Sequence, residues 1–434
     1  MGTRIVSRLK RESSLKWLYP GLGVKRWLAL LLFSITLISL GFGYLLRDLY
    51  TVWKFPPFFY YLSLQFIPRW GRALLFGAVG GIGVVVALIQ LSRSLLMPFL
   101  RPGKPSLVDT LYQHRQRERG PKVVALGGGT GLSTLLRGLK EYTTRITAIV
   151  TVADNGGSSG LMRRELGVLP PGDFRNCIAA LADAEELAVQ LFQYRFGQGM
   201  GLNGHSFGNL FIAAMAGVTG SFEQAILESS RVLAVQGRIL PSTLQDVTLC
   251  ADLSAEGATA PDWVAGESQI TATQLPIERV FLRPDGVRAY PEALRVILDA
   301  DLIVAGPGSL FTSVIPNLLV EDIAKAVHAS PALKVFVCNV ANQPGETDGF
   351  TLNDHVAALE RHVGHGAFPY VLVNRHQPPA MSDHPEIVPV PLKYDPGHYQ
   401  VLEADLVDEN NPWRHDPGKL ARELIAFYES HTRR

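Results

Sequence analysis

The 434-residue sequence predicts an α/β protein: a doubly wound, mainly parallel sheet with a β-rich insertion, preceded by two transmembrane helices. Three observations carry this. From Pro121 onward, short apolar runs alternate with helical patterns, as strands covered on both faces by helices require. Glycine-rich loops follow several of those runs directly. Ahead of Pro121 lie two uncharged stretches long enough to cross a bilayer.

The first stretch, Trp27 to Leu46, reads WLALLLFSITLISLGFGYLL, and the second runs from Ala73 to Leu91. The first is too long for a signal peptide's apolar core, and no small-residue cleavage site follows it. Gly77, Gly80, Gly81 and Gly83 would suit close packing of the second helix against the first. Arg4, Arg8, Lys10, Arg11, Lys16, Lys25 and Arg26 precede the first span, and Arg93, Arg101 and Lys104 follow the second. The loop between them holds Arg47, Lys54, Arg69 and Arg72 near its edges and an aromatic belt from Trp53 to Tyr61. Basic flanks face the cytoplasm. The expected organisation is therefore a membrane hairpin over 1–100, a Pro102- and Pro105-containing linker over 101–120, and a cytoplasmic body over 121–434. That places the protein in the cytoplasmic membrane as a multi-pass chain.

Within the body, strands are expected over Lys122–Leu126, Ile146–Val152, Leu302–Ala305, Lys334–Cys338 and Tyr370–Val373. Helices are expected over Leu132–Glu141, Asn176–Ala182, Asn209–Ala216, Phe222–Leu233, Pro291–Leu298, Leu318–Ala329, Leu352–Val363 and Lys419–Glu429. Gly237 to Arg283 has shorter β-like runs and reads as the insertion or cap. A formal charge of +2, with no arginine-rich stripe among aromatics, speaks against a nucleic-acid partner. Cys177, Cys250 and Cys338 lie far apart, a pattern of neither metal site nor disulfide framework, so a reducing compartment is expected.

The chemistry concentrates in loops. Val123–Leu126 runs into Gly127-Gly128-Gly129-Thr130-Gly131, and a helical pattern restarts at Leu132. Strand, glycine turn and helix aim bare N–H groups and a positive helix end at a phosphate. It is not a clean dinucleotide fingerprint, because Leu132 stands where the third glycine would, and it lacks the lysine of a P-loop. Asp154 follows the second strand, where ribose- or metal-binding carboxylates sit. Its neighbour Asn155 is neutral, so the pair is no two-carboxylate clamp and magnesium is not expected to be required. Gly156 to Gly160, with Gly157, Ser158 and Ser159, reads as a flexible anion nest. In PPGDFRN, Asp173 either caps the following helix or contacts ligand, and Arg175 could clamp a phosphate beside Asn176. Gly204-His205-Ser206-Phe207-Gly208-Asn209 is a similar turn, offering His205, Ser206 and Asn209. Gly306-Pro307-Gly308-Ser309-Leu310-Phe311 closes the set, with Gly306, Gly308, Ser309 and Phe311 as candidates. No nucleophilic triad or metal set is evident, and neither Asp154 nor His205 has a visible partner that would make it a general base.

These loops in this order resemble the gluconeogenesis factor family, the YvcK-like branch of the CofD-like superfamily. The segments that carry the resemblance are VVALGGGTGLSTLLRGLK, ITAIVTVADNGGSSGLMRRELGVLPPGDFRNCIAAL, GHSFGNLFIAAM, GPGSLFTSVIPNLLV and VCNVANQPGETDGFTLNDH. The resemblance implies a Rossmann-like fold, a site for UDP-sugars such as UDP-N-acetylglucosamine, and a role in cell shape and envelope synthesis on gluconeogenic carbon sources. The superfamily's other branch transfers phospholactate from a guanosine diphosphate adduct. Two departures stand out: Asn155 where the family often has a second aspartate, and Phe311 where it often has tyrosine, which keeps a stacking ring without the hydroxyl. The expected function is a membrane-tethered UDP-sugar-binding regulator; the alternative is a phosphotransferase of the 2-phospho-L-lactate transferase type. Homo-oligomerisation and envelope-synthesis proteins as partners stay open.

Overall fold

A computed structural model describes residues 24–52, 56–62, 64, 66–96, 116–184, 186–198, 201–254, 263–375, 388–395 and 397–432. The chain divides into two compact units, Met1–Arg115 and Gln116–Arg434.

The first unit holds the helices Val24–Val52 and Arg69–Leu96, with a short helix Phe58–Leu62 between them in sequence. At 29 and 28 residues the long helices are each about 40 Å in length at 1.5 Å per residue. Both are long and apolar enough to cross a membrane, over Ala29–Leu49 and Arg69–Val86. Leu30, Phe33, Ile38, Phe42, Phe76 and Ile82 stand exposed along them. One expectation fails here. A Cβ placed on Gly77, Gly80, Gly81 or Gly83 would meet nothing within 4 Å, so these glycines do not seat the second helix against the first.

The second unit is built on a seven-stranded sheet whose strands are β1 Val123–Gly127, β2 Ile146–Val150, β3 Arg238–Pro241, β7 Leu302–Ala305, β8 Leu333–Val337, β9 Tyr370–Asn374 and β10 Gln400–Ala404. They lie in the order β10-β9-β8-β7-β1-β2-β3. Every pairing is parallel, with Val123 opposite both Ile146 and Leu302. Parallel strands buried on both faces need near-continuous apolar side chains, which is why VVALG, ITAIV and LIVA read as strands from sequence. β10 went unseen because it is an edge, only half-buried, whose residues carry no apolar run, and β3 because it is four residues long and ends in Pro241.

The β-rich insertion is an antiparallel sheet ordered β5-β4-β6, from β4 Thr248–Leu253, β5 Trp263–Ala265 and β6 Ile277–Arg283, with the helix Glu267–Thr273. It begins later than expected, since Arg238–Pro241 belongs to the main sheet. Two further expectations are corrected. The helix expected over Leu318–Ala329 starts at Glu321, and Leu318 instead ends a separate turn of helix, Ile315–Leu318, that follows a π-turn at Leu310–Val314. Asn317 explains part of this, because its amide donates to the Gly127 and Ser313 carbonyls and holds that segment against β1. The flexible nest expected at Gly156–Gly160 is instead the start of a helix, Gly157–Leu166. Gly160 lies so close under the Asn155 carbonyl that a side chain would not fit.

The chain lays down β1, β2 and β3 in one direction and later builds β7 to β10 in the other, so the winding reverses between β1 and β7. Above the carboxyl ends of those two strands the connecting loops part, and a crevice opens. Below it, Leu126, Leu132, Leu135, Leu136 and Leu139 are fully buried. Each such leucine contributes roughly 1.5–3 kcal/mol. The crevice loops stand on that rigid base.

Candidate functional site

β1 ends at Gly127, whose carbonyl is taken by the Thr151 N–H at 3.2 Å and by Asn317 at 3.0 Å. Gly127 is thus a strand end. Gly128 is extended and gives no side-chain cap to the 11-residue helix Gly129–Leu139. The cleft, of about 360 Å³, is lined on this side by Gly128, Gly129, Thr130 and Gly131, and beside them by Pro307, Gly308 and Ser309 from the loop after β7. Gly131 is required by packing: a Cβ there would strike the Pro307 carbonyl and come within 2.7 Å of the Gly308 Cα. Gly308 is clasped by Asn339, donating its N–H to Oδ1 at 3.1 Å and accepting from Nδ2 at 2.9 Å. Ser309 donates to Gln343 Oε1 at 2.6 Å. Gly306, at φ +80, completes the turn, and a side chain there would press on the Val337 carbonyl at 2.9 Å.

Carboxylates gather under the glycine loop. Asp173 receives the Gly129 N–H, and its Oδ2 lies where a Cβ of Gly128 would sit. Burial, and then the charge of Asp154, push the Asp173 carboxyl up to about 7, against the pull of that N–H and of Arg175. Asp154 Oδ1 accepts the Gly156 N–H at 2.8 Å. Its carboxyl is also hydrogen-bonded to that of Glu267, from the insertion's helix, and burial and then Asp154's charge hold Glu267 far above the usual carboxylate range. Glu346 joins from the loop after β8, pushed up to about 7 by burial, although its Oε1 accepts from Thr312 at 2.8 Å and Gln343 at 2.9 Å. The expectation that Asp154 has no titratable partner is therefore overturned. Its partners come from distant segments, while Asn155 turns away and accepts both the N–H and the hydroxyl of Ser268 at 3.1 Å, docking the insertion. Among the described residues no group of three or more His, Cys, Asp or Glu side chains is arranged to hold a metal ion.

On the β2 side, Ser158 and Ser159 lie in the first turn of the helix Gly157–Leu166. Ser159 Oγ accepts the Gly172 N–H at 3.1 Å. Ser158 Oγ accepts from Asn209 Nδ2 at 3.1 Å and lies 3.0 Å from His205 Nδ1. So His205 does have a partner, contrary to the sequence reading, and the contact is a hydroxyl–imidazole pair of the kind that activates a nucleophile. Ser206 caps the helix Phe207–Thr219, accepting the Asn209 N–H at 3.3 Å. Arg175 is 8% exposed; its Nη2 donates to Asn176 at 3.0 Å, and its Nε is buried without a partner. Asp173 and Asp154 act on it through their charges, with no salt bridge to either among the described residues. Burial and then the nearby Arg195 lower its pKa.

Phe311 is the clearest correction. It is fully buried, edge-on to Phe350 at 6.1 Å and to His362 at 6.1 Å, and its ring is core rather than a stacking platform. Sequence reading missed Glu267, Glu346, Asn339, Asn342, Gln343, Trp413, Arg414 and His415. For those between 339 and 346 a signal was present: VCNVANQPGE follows a strand, and loops at strand carboxyl ends build such sites.

The sequence model of the family described as 2-phospho-L-lactate transferase CofD matches residues 123–412. A gluconeogenesis factor from Bacillus subtilis (strain 168) is 46% identical over 313 residues, which cover 70% of this chain and 97% of that one. A relative from Nostoc sp. (strain PCC 7120 / SAG 25.82 / UTEX 2576) is 45% identical over 438 residues, covering 95% of this chain and 92% of its own. That extent has to include most of Met1–Arg115. The crystal structure of a UPF0052 family member from Bacillus halodurans matches with a TM-score of 0.65 at 43% identity, over 71% of this chain and 99% of that one.

Proposed function

The chain belongs to the CofD-like gluconeogenesis factor family, and from that premise we propose that its cleft binds a UDP-sugar such as UDP-N-acetylglucosamine by the diphosphate. In this reading the protein is a regulator of cell shape and envelope synthesis during gluconeogenic growth, tethered to the cytoplasmic membrane by Val24–Val52 and Arg69–Leu96. The observation that carries it is Arg175. Its guanidinium is buried with only the charges of Asp173 and Asp154 acting on it and no ion pair to either, an arrangement that an arriving anion would complete. The cleft itself is lined by the start of the helix Gly129–Leu139, where Thr130 and Gly131 follow the Gly129 turn. A diphosphate has the charge and the span of acceptors to use both.

A second reading has its own support. Asp173, half-ionised near neutral pH, and the Ser158–His205 pair are groups a phosphotransferase of the 2-phospho-L-lactate type could use. Phosphorus NMR of UDP-N-acetylglucosamine with stoichiometric protein and magnesium separates the two. The regulator returns the ligand intact, and its binding tolerates a chelator. Steady appearance of UMP, UDP or a transferred phosphoryl group would establish the transferase instead.

A further inference from the structure

The cleft wall that faces the glycine loops comes from two stretches distant in sequence, Asn339–Pro344 after β8 and Trp413–His415 before the C-terminal helix Pro417–Thr432. Two side chains in this wall are more than nine-tenths buried: Asn342 at 6% exposure and His415 at 7%. In each, the fold satisfies one polar atom and leaves the other unpaired. Asn342 Nδ2 donates to the Phe350 carbonyl at 2.9 Å, which fixes the amide, since turning it over would set two carbonyl oxygens face to face. Its Oδ1 is closed to water and has no donor. The His415 ring donates to the Cys338 carbonyl, while Nε2 is closed to water without a partner. The proton therefore sits on Nδ1, and Nε2 keeps its lone pair. Burial lowers this imidazole to about 4, so it gains no second proton at neutral pH. Both unpaired atoms are acceptors. Buried acceptors without donors are rare in folded proteins, and two in one cleft wall point to a ligand that supplies the donors.

We propose that Asn342 Oδ1 and His415 Nε2 form a donor-reading subsite that accepts N–H or O–H groups from the end of the ligand that carries no phosphate. The inference rests on the nucleotide-sugar reading of the cleft and adds its polarity. A phosphate gains nothing from these two atoms, because its oxygens present lone pairs to lone pairs, although Arg414 in the same wall carries donors of its own. The glycine loops offer donors while Asn342 Oδ1 and His415 Nε2 offer acceptors, so the donor-bearing end is the part of the ligand that these two atoms draw. A UDP-sugar carries such donors in two places: the imide N–H of the uracil ring, and the hydroxyl and acetamide N–H groups of the sugar. The chemistry is shared, and the ligand can be altered at either place.

The test is calorimetric titration of the full chain in lipid nanodiscs with UDP-N-acetylglucosamine, its N3-methyluracil analogue, UDP and inorganic pyrophosphate. His415→Leu is expected to weaken UDP-N-acetylglucosamine by at least roughly tenfold, about 1.4 kcal/mol, and to leave pyrophosphate within about twofold. The ligand series on the wild-type protein is free of any folding defect in the variant. A tenfold loss on N3-methylation supports the subsite and assigns it to the base. Full affinity for the methylated ligand, with UDP at least tenfold weaker than the UDP-sugar, supports it and assigns it to the sugar. If the methylated ligand and UDP both bind as tightly as the parent, the subsite is refuted. Equal losses for pyrophosphate and UDP-sugar in a folded His415→Leu protein refute it too. A wild-type protein that binds none of the nucleotides would instead bring down the nucleotide-sugar reading itself.

Discussion

Replacing Asp173 by asparagine should make the protein more stable at neutral pH and leave it unchanged in acid. The carboxyl lies against Gly128, accepts the Gly129 N–H, and is raised from 3.8 to about 7 by burial and by Asp154. The unfolded chain gives up this proton near 3.8 and the folded one near 7, so between those values the folded state holds more protons. Stability from this group is full below about 4, falls as pH rises toward about 7, and is flat beyond. Three pKa units amount to at most about 4 kcal/mol, and partial exposure of the side chain reduces that to about 2 kcal/mol. For a unit of this size, about 2 kcal/mol corresponds to roughly 4–8 °C in Tm. Asparagine keeps an oxygen for the Gly129 N–H, so the gain is not cancelled by a lost hydrogen bond. Thermal melts of the full chain and of Asp173→Asn, followed by intrinsic fluorescence between pH 4 and pH 8, should show curves that coincide in acid and separate toward pH 7. A variant that melts below the parent at pH 7, or a gap independent of pH, would refute the electrostatic account of this cluster.

Three further outcomes are expected. Arg175→Met keeps the aliphatic stem that lies along Gly208 and removes the unpaired guanidinium. The melting temperature should hold or rise while nucleotide-sugar affinity falls at least roughly tenfold, and unchanged affinity would remove Arg175 from the anion site. Gly131→Ala should cost about 1–3 kcal/mol, because its methyl would drive into the Pro307 carbonyl; an unaltered Tm would mean the two loops give way without loss. A fluorescent protein fused after Arg434 should be active, and alkaline phosphatase at the same place inactive, with the reverse pattern overturning the cytoplasmic assignment.

The glycine loop, Asp154 and the Gly306–Ser309 turn were legible because each follows a strand whose apolar run is itself legible, and strand order then brings the loops together; Arg175 was legible only from its place in a rigid Pro-Pro-Gly turn into the helix Gly172–Leu181. What stayed hidden was convergence from afar. Glu267 and Glu346 sit in polar segments with no period; docking of the insertion's helix sets Glu267 against Asp154, and the loop after β8 brings Glu346 toward Glu267. Asn155 misled for a related reason: residues adjacent in sequence point to different neighbours, so its neutrality says nothing about the carboxylates around Asp154. Phe311 misled because an aromatic ring in a loop motif has the same letter whether it faces ligand or core. The edge strand β10 lacked the two-sided burial that makes β1 and β7 plain, and β3 is a four-residue strand that ends in proline.

The central claim is that the crevice between β1 and β7 holds the diphosphate of a UDP-sugar. Calorimetry of the full chain in nanodiscs against UDP-N-acetylglucosamine, GDP and NAD, with Gly129→Val alongside, tests it most directly. Gly129 sits at φ +62, a conformation valine resists, at the first turn of the uncapped helix. Saturable binding of UDP-N-acetylglucosamine, preferred over GDP and NAD and weakened at least roughly tenfold in a folded Gly129→Val protein, is the expected result. No heat with the UDP-sugar, or equal binding to the variant, would contradict the account.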